Sequence, residues 1–412
     1  MDPTRSTIEQ VFREQHGRVL AALLSHFGGD FDLAEDALQD ALVQALDAWK
    51  TRPPRNPAAW LVAAAKRRAI DRLRKGGARG RRMIPLDEAL PLQDVPTSDD
   101  DMDEIPDERL KLIFTCCHPA LPLEAQIALT LHTLGRLSTA EIARAFLVSP
   151  AAMAQRLARA RSKIRDAGIP YRVPPADLMG ERLTAVLAVL YLIFNEGYTA
   201  TEGNRLVRAD LCEEAIRLCR LIAARLPDDA PEVKGLLALM LLHHSRRSAR
   251  VDSDGDLVTL EEQDRSLWDE ALIEEGSALL HDALSRRAPG PYQIQAAISA
   301  LHAEAASAEA TDWAQIAALY GVLAEMTPSP IVEVNRAVAV AMAEGPRAGL
   351  RLLMRLHDAL SDYYPFHAAR ADLLRRANEA EAAADAYDRA IRLCQNALER
   401  AHLERRRALL GG

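Results

Sequence analysis

Apolar residues recur along this chain at the three- and four-residue spacing that sets one face of a helix against a core. In the first block the pattern predicts three helices. One runs through Val19, Leu20 and Leu23, one from Asp32 through Leu38, Leu42 and Leu46 to Trp49, and one from Pro57 through Trp60 and Leu61 to Leu73. Pro53-Pro54 and Gly76-Gly77 punctuate them. A second block, Asp107 to Gly168, has a supporting helix from Leu123 through Ile127 and Leu131 to Leu134. Two further helices then start about eleven residues apart, each with its own cap. Ser138 stands three residues before Glu141, a capping box in which each side chain satisfies an orphan N–H at the other's residue. Ser149-Pro150 supplies the second cap, with proline at the first helical position.

Along that last helix Met153, Leu157, Ala160 and Ile164 recur at helical spacing and take the buried positions, which turns Ala151, Ala152, Gln155, Arg156 and Arg159 outward. This is the pattern of a helix-turn-helix, whose second helix enters the major groove. The remaining half of the chain is more regular. Helix starts expected near Asp312, Ser329, Pro346, Tyr363, Glu379 and Asn396 repeat at about 17 residues and helical pairs at about 34, the tetratricopeptide period. The pentapeptide Ala215-Ile216-Arg217-Leu218-Cys219 recurs as Ala390-Ile391-Arg392-Leu393-Cys394, and Ala383, Tyr387, Ala390 and Ile391 fit the second helix of such a repeat. A stacked helical array follows.

Composition agrees with an all-α protein. The 412 residues are 49% hydrophobic but only 5% aromatic, and the abundant Ala, Leu, Arg and Glu lose little rotamer freedom in a helix. At about 150 residues per domain, two or three cores are expected. The domains are expected at 1–80, 107–170 and 176–412, with a flexible linker at 81–106.

The net charge of -8 conceals segregated blocks. From Lys66 to Arg82 the chain carries Lys66, Arg67, Arg68, Arg72, Arg74, Lys75, Arg79, Arg81 and Arg82 against the single acid Asp71, and every charged residue from Arg144 to Arg165 is positive. Between them lie Asp94, Asp99, Asp100, Asp101, Asp103, Glu104, Asp107 and Glu108, the signature of a solvated linker. Two cationic modules joined by an anionic tether suit nucleic acid better than a membrane. The longest apolar stretch, Leu183 to Phe194, falls short of the roughly 20 residues a bilayer needs, and Asp2 and Glu9 sit where a secretory signal would be basic, then apolar. A cytoplasmic protein is expected.

Other constellations point away from chemistry. The five cysteines, Cys116, Cys117, Cys212, Cys219 and Cys394, form no repeated Cys-x-x-Cys pair and read as small core residues of a reduced protein. Cys116-Cys117-His118 lacks a second ligand pair at zinc spacing. Asp252-Ser253-Asp254-Gly255-Asp256 mimics a calcium loop, yet Leu257 replaces its sixth-position glycine and Gln263 its terminal glutamate, so a polar turn is expected. His243-His244 has no nucleophile or carboxylate at a telling distance. No catalytic residue, metal or cofactor is assigned.

The first two blocks together resemble an extracytoplasmic-function sigma factor of the sigma-70 family. Ala34-Glu35-Asp36-Ala37-Leu38-Gln39-Asp40 is similar to its second-region helix, and Ala59-Trp60-Leu61 running to Ala69-Ile70-Asp71-Arg72-Leu73-Arg74 is similar to its promoter-melting helix. Glu141-Ile142-Ala143 through Arg159-Ala160-Arg161 resembles its fourth region. The third block, with Asn195-Glu196-Gly197-Tyr198, Gln263-Asp264-Arg265, Trp268 and Pro291-Tyr292-Gln293, resembles the tetratricopeptide-like extension of one subgroup.

The resemblance implies partners and residues. Core RNA polymerase would be held at its β′ clamp by Asp36, Gln39 and Asp40, and at its β flap by the fourth region. Promoter DNA would be opened and read at the minus-ten element by Trp60, Lys66, Arg67, Arg68, Asp71, Arg72, Arg74 and Lys75, with Arg67 standing where the family often has Asn. The minus-thirty-five element would be read by Ser149, Ala151, Ala152, Gln155, Arg156, Arg159 and Lys163, since Arg bonds guanine and Gln adenine bidentately. The extension would modulate activity, either gating the DNA-binding faces or touching polymerase itself. A repeat array of this kind suits a protein partner, and charge adds the expectation that its acidic surface covers the basic recognition helix in the free chain. Against this promoter-specificity subunit stands a freestanding helix-turn-helix regulator with a helical-repeat sensor. That alternative has no use for an acidic docking helix joined to an arginine-rich melting helix. A helical-array enzyme ranks third, because no acid, base and nucleophile converge in sequence.

Overall fold

The computed structural model describes residues 3–50, 54–75, 108–135, 137–146, 148–198, 209–226, 230–253 and 255–410. The chain divides into two compact units, Met1–Leu190 and Tyr191–Gly412. Within the described residues every regular element is helical apart from an isolated bridge between Val251 and Leu257. No helix among them is long and apolar enough to cross a membrane.

The first unit begins with three helices, α1 (Pro3–His26), α2 (Phe31–Ala48) and α3 (Pro57–Lys75). Val19, Leu20, Leu23 and Leu24 of α1 are buried with Ala34, Leu38, Ala41 and Ala45 of α2 and Leu61, Val62, Ala65 and Ala69 of α3. Alanine at so many contact positions lets the helices approach closely, and the one-sided pattern drives them together by removing apolar surface from water. The expected row Leu38, Leu42, Leu46 does not all reach the core. Leu38 is buried, Leu42 half-buried and Leu46 exposed. Residues four apart drift by about 40° around a helix with each step, so an uninterrupted i+4 row winds off the buried face. Ala41 and Ala45 take the place of Leu42 and Leu46.

The α1–α2 turn depends on its glycines. Phe27 N–H donates to Leu23 O and Gly29 N–H to Leu24 O, both at 2.8 Å, closing α1 while Gly28 and Gly29 take φ of +63° and +88°. Asp30 then caps α2, accepting from Leu33 N at 3.0 Å.

Four shorter helices follow: α4 (Arg109–Cys116), α5 (Leu123–Thr133), α6 (Thr139–Ala145) and α7 (Pro150–Asp166). The capping box is present, with Glu141 N donating to Ser138 Oγ at 3.3 Å and Ser138 N to Glu141 Oε2 at 2.7 Å. Ser149 Oγ caps α7 by accepting from Ala152 N at 3.1 Å. The two helices of the expected helix-turn-helix therefore begin where the caps place them. Cys116 and Cys117 lie in the core, their Sγ atoms 3.3 Å from Thr133 Oγ1 and 3.5 Å from Thr130 Oγ1.

The helix α8 (Ala176–Tyr198) contains the division between the units. In the second unit α10 (Pro231–His244) is buried along almost its whole length between α9 (Ala209–Ala223), α11 (Glu270–Ser285) and α12 (Pro291–Glu304). Gly197 has no room for a side chain, since a Cβ there would stand 2.7 Å from Cys212 N. The array continues through α13 (Trp313–Met326), α14 (Pro330–Glu344), α15 (Pro346–Met354), α16 (Tyr364–Arg376), α17 (Ala380–Leu393) and α18 (Ala397–Ala408). All six begin at or one residue after the expected starts. Their cores follow in sequence: Ile294, Ile316 and Leu323, then Val334, Leu353 and Phe366, then Ala371, Tyr387 and Leu403. Each helix thus rests on its neighbours in chain order, as in a repeat array. The aspartate-rich segment after α10 is a tight turn, with Asp252 N donating to Asp256 O and Asp256 N to Asp252 Oδ1.

Substitution at the two turn glycines should separate backbone strain from packing. Gly28→Ala meets no atom within 4 Å and should cost about 1 kcal/mol through its positive φ alone. Gly29→Ala carries the same strain and puts its Cβ 3.2 Å from Tyr171 Cβ, so its urea midpoint should fall further. Equal midpoints for the two variants would show that Tyr171 gives way freely.

Candidate nucleic-acid interface

Helix α7 owes its orientation to Met153, Leu157, Ala160 and Ile164, all buried against α5 and α6. Its outer face carries Ala151, Ala152, Gln155, Arg159 and Lys163, all exposed, with Arg156 half-buried. Ser149 is exposed but its hydroxyl is engaged as the helix cap. The first turn holds no acid, so its free N–H groups and the arginines present one sign of charge outward.

On α3, Trp60 is half-buried and meets the buried Trp49 edge-on, with ring centroids 5.5 Å apart at 70°. One side of the indole is thus packed and the rest reaches the surface. Lys66 and Arg67 are half-buried and Arg68 is exposed, and burial lowers the Lys66 pKa. The side chains of Asp71, Arg72, Arg74 and Lys75 lie outside the described residues, as does the acidic segment 81–106.

Helix α2 shows what its sequence alone did not. Asp32, Asp36, Gln39, Val43 and Leu46 are all exposed at alternating steps of four and three. Val43 is 65% exposed and Leu46 41%, a large apolar contribution for a helix that has core positions available. Asp40, half-buried, lies beside this row.

The flank of the same helix meets α7. Arg161 Nη1 lies 2.5 Å from Glu35 Oε2, with both side chains less than one-fifth exposed. Arg165 Nη1 lies 2.6 Å from Asp32 Oδ2, with both more than half exposed. The first pair dominates. An exposed pair contributes about 0–1 kcal/mol, whereas removing one partner of a buried pair costs about 3–5 kcal/mol because the other charge stays desolvated. Glu35 has its carboxyl pKa raised by burial, with Arg161 opposing. Tyr171 OH donates to Ala21 O at 2.9 Å, adding a third tie. The helix-turn-helix and the three-helix bundle thus share an interface, with a cleft of about 470 Å³ lined among others by Leu38, Gln39 and Leu42 on one side and Leu137, Ser138 and Thr139 on the other.

Two half-buried histidines lie at this interface. Burial pushes His16 down to about 4, and burial with the charge of Arg161 does the same to His132. His132 Nδ1 is 3.8 Å from Glu35 Oε1, a contact that is no ion pair while the ring is neutral. Neither the acids of the flank nor these histidines were singled out by sequence. The only local signal is complementary spacing, acids three apart on α2 and arginines four apart on α7. The cysteines are chemically quiet, since burial pushes Cys117 up to about 12 and raises Cys116 as well. His118 Nδ1 accepts from Ala120 N and is drawn into no cluster with them.

Three family models match the chain: Sigma-70 region 2 at residues 12–79, Sigma-70, region 4 at residues 111–164, and a family of unknown function (DUF6596) at residues 182–284. A Rhizobium meliloti (strain 1021) protein described as uncharacterized is 47% identical over 391 residues, covering 94% of this chain and 92% of its own. No solved structure matches the chain.

These two histidines make the first unit acid-sensitive. Both have folded pKa values below the ordinary histidine value of about 6.5, so the unfolded chain binds more protons and stability is lost as pH falls from about 6.5 toward 4. The raised Glu35 pKa opposes this in part. Between pH 7 and 5 each histidine should remove about 2 kcal/mol. With Trp268 and Trp313 replaced by Phe, Trp49 and Trp60 report urea unfolding of this unit. His132→Gln should flatten the pH slope, and an unchanged slope would remove His132 from the account.

Proposed function

The chain belongs to the sigma-70 family of RNA polymerase sigma factors, non-enzymatic subunits that bind core polymerase and direct promoter recognition, and on that premise we propose which surface meets which partner. The exposed row of α2 carries the proposal. Steps of four and three describe a seam that packs into a coiled coil, and this seam is acidic at its start and apolar at Val43 and Leu46. It suits the β′ clamp coiled coil, with Asp36, Gln39 and Asp40 matching basic side chains and the two apolar residues supplying buried area. Helix α7 reads the minus-thirty-five element through Gln155, Arg156 and Arg159, with Lys163 on phosphate and Ala151 and Ala152 allowing close approach. The Trp60 to Lys75 face of α3 opens and reads the minus-ten element. Region 4 docks on the β flap, and the C-terminal extension modulates activity through a protein partner.

The Glu35–Arg161 contact defines a closed state of this sigma factor. The two promoter elements lie about 25 base pairs apart, on the order of 85 Å at 3.4 Å per base pair. A compact unit of this length is only on the order of 40 Å across. Modules held together by this ion pair cannot occupy both elements at once, so polymerase must part them. No observation favours the freestanding regulator, which needs neither an exposed seam on α2 nor a second DNA-facing module.

Gel filtration with core polymerase and run-off transcription test the division of labour. Val43→Asp with Leu46→Asp should abolish co-elution while leaving helicity unchanged, because neither side chain is buried. Arg159→Ala should leave co-elution intact and weaken promoter binding by about 1–3 kcal/mol. Dyes at Arg55→Cys and Ala154→Cys should move apart when polymerase is added. Failure to co-elute refutes the reading, and an unmoved dye pair in an active complex refutes the closed state.

A further inference from the structure

Three motifs singled out in the second half of the sequence meet in space around two buried donors that the fold leaves unmet. Tyr198 closes α8, Arg246 and Arg250 follow α10, and Arg265 and Trp268 lie in the segment before α11. Arg246 Nη2 donates to Tyr198 OH at 3.1 Å. The Arg250 guanidinium lies 3.7 Å from the centroid of the Tyr198 ring and donates to Tyr198 O. Trp268 is approached by two guanidinium groups, Arg265 at 4.7 Å and Arg246 at 5.9 Å from its centroid. Arg246 and Trp268 are only 7% and 5% exposed, yet Arg246 Nε and Trp268 Nε1 have no acceptor.

Positive charge outweighs negative at this place, although Glu309 acts on Arg265 and Glu399 on Arg250 from beyond contact. Among the described residues neither Arg246 nor Arg265 has a carboxylate within ion-pair distance. Arg265 spends one Nη on the carbonyls of His302 and Ala305, at 2.5 and 2.6 Å. His302 beside them is driven down to about 4, by burial first and then by Arg246 and Arg265, so its ring stays neutral and supplies no counter-charge. Burying a guanidinium without a counter-charge is costly, and an orphaned buried donor adds to the cost. A water would meet the donors but not the charge. An oxyanion meets both, because it only accepts and carries the opposite sign.

We propose that Arg246, Arg265 and Trp268 form a binding site in the C-terminal extension for a small oxyanion, a phosphate or a carboxylate, held by Arg246 Nε and Trp268 Nε1. The surroundings connect the site to the rest of the array. Arg265 is half-exposed, and its neighbours Asp264, Ser266 and Leu267 are exposed, so the segment covering the donors lies at the surface. The chain joining Arg250 to Trp268 is anchored at the far end of the array, through Glu261 to Arg376 at 2.5 Å, Glu262 to Arg406 at 2.8 Å, and Asp256 to Arg405. Ligand at Trp268 therefore acts on the loop that grips α16 and α18.

The test uses the full chain, titrated at pH 7 with sodium phosphate or sodium acetate at constant ionic strength in chloride, with tryptophan fluorescence and thermal midpoint as readouts. A saturable change with either anion supports the site. Response to phosphate alone assigns a phosphoryl group, and response to acetate alone a carboxylate. Trp268→Phe keeps the ring and removes the donor, and Arg246→Gln removes the charge. Each should weaken binding by about tenfold or more, read by midpoint shift where the indole is gone. If Arg246→Gln fails to fold, Trp268→Phe decides alone. No saturable response to either anion, or affinity unchanged in Trp268→Phe, overturns the proposal.

Discussion

A guanidinium that leaves water must be met by oxygen, and both units of this chain are organised around that demand. In the first unit Arg161 reaches Glu35 across the interface between bundle and helix-turn-helix, and Arg182 reaches the carbonyl of Phe114. In the second, Arg250 and Arg265 take backbone carbonyls at Tyr198, His302 and Ala305. Alanine-rich helices bury area without specifying direction, whereas a forked donor accepts few arrangements. The apolar cores bring the helices together, and the arginines choose among the ways they could rest.

The same side chain type therefore serves two ends on α7. Arg161 and Arg165 face α2 and tie the modules, while Gln155 and Arg159 face outward. Helical periodicity separates these roles, because residues two apart point to different sides. Helix α2 is divided in the same way, its Asp32 and Glu35 end turned to α7 and its Val43 and Leu46 end open.

Local chemistry was the legible part. The caps at Ser138, Ser149, Asp312, Ser329 and Asn396 act within three residues of themselves, so the sequence exposes them and the helices start there. The buried set of α7 was equally legible, because one face of one helix suffices to define it. The i+4 row predicts Leu46 as a core position, but followed that far it leaves the buried face. Glu35 with Arg161, separated by 126 positions, and Arg246 with Trp268 could not be paired from sequence, because nothing local distinguishes an arginine that will be buried from one that will face solvent.

The cleft between α2 and α6 has a kinetic meaning for a chain that carries both walls. A tethered module faces its own docking surface at an effective concentration on the order of millimolar, so even a contact too weak to hold two separate molecules keeps most of the chain shut. Any outside partner for α2 then binds with its intrinsic affinity divided by that closure constant, a toll of about a hundredfold for about 3 kcal/mol of closing free energy. Such a chain stays silent at low partner abundance and engages sharply once a second contact, elsewhere on the same partner, captures the freed module.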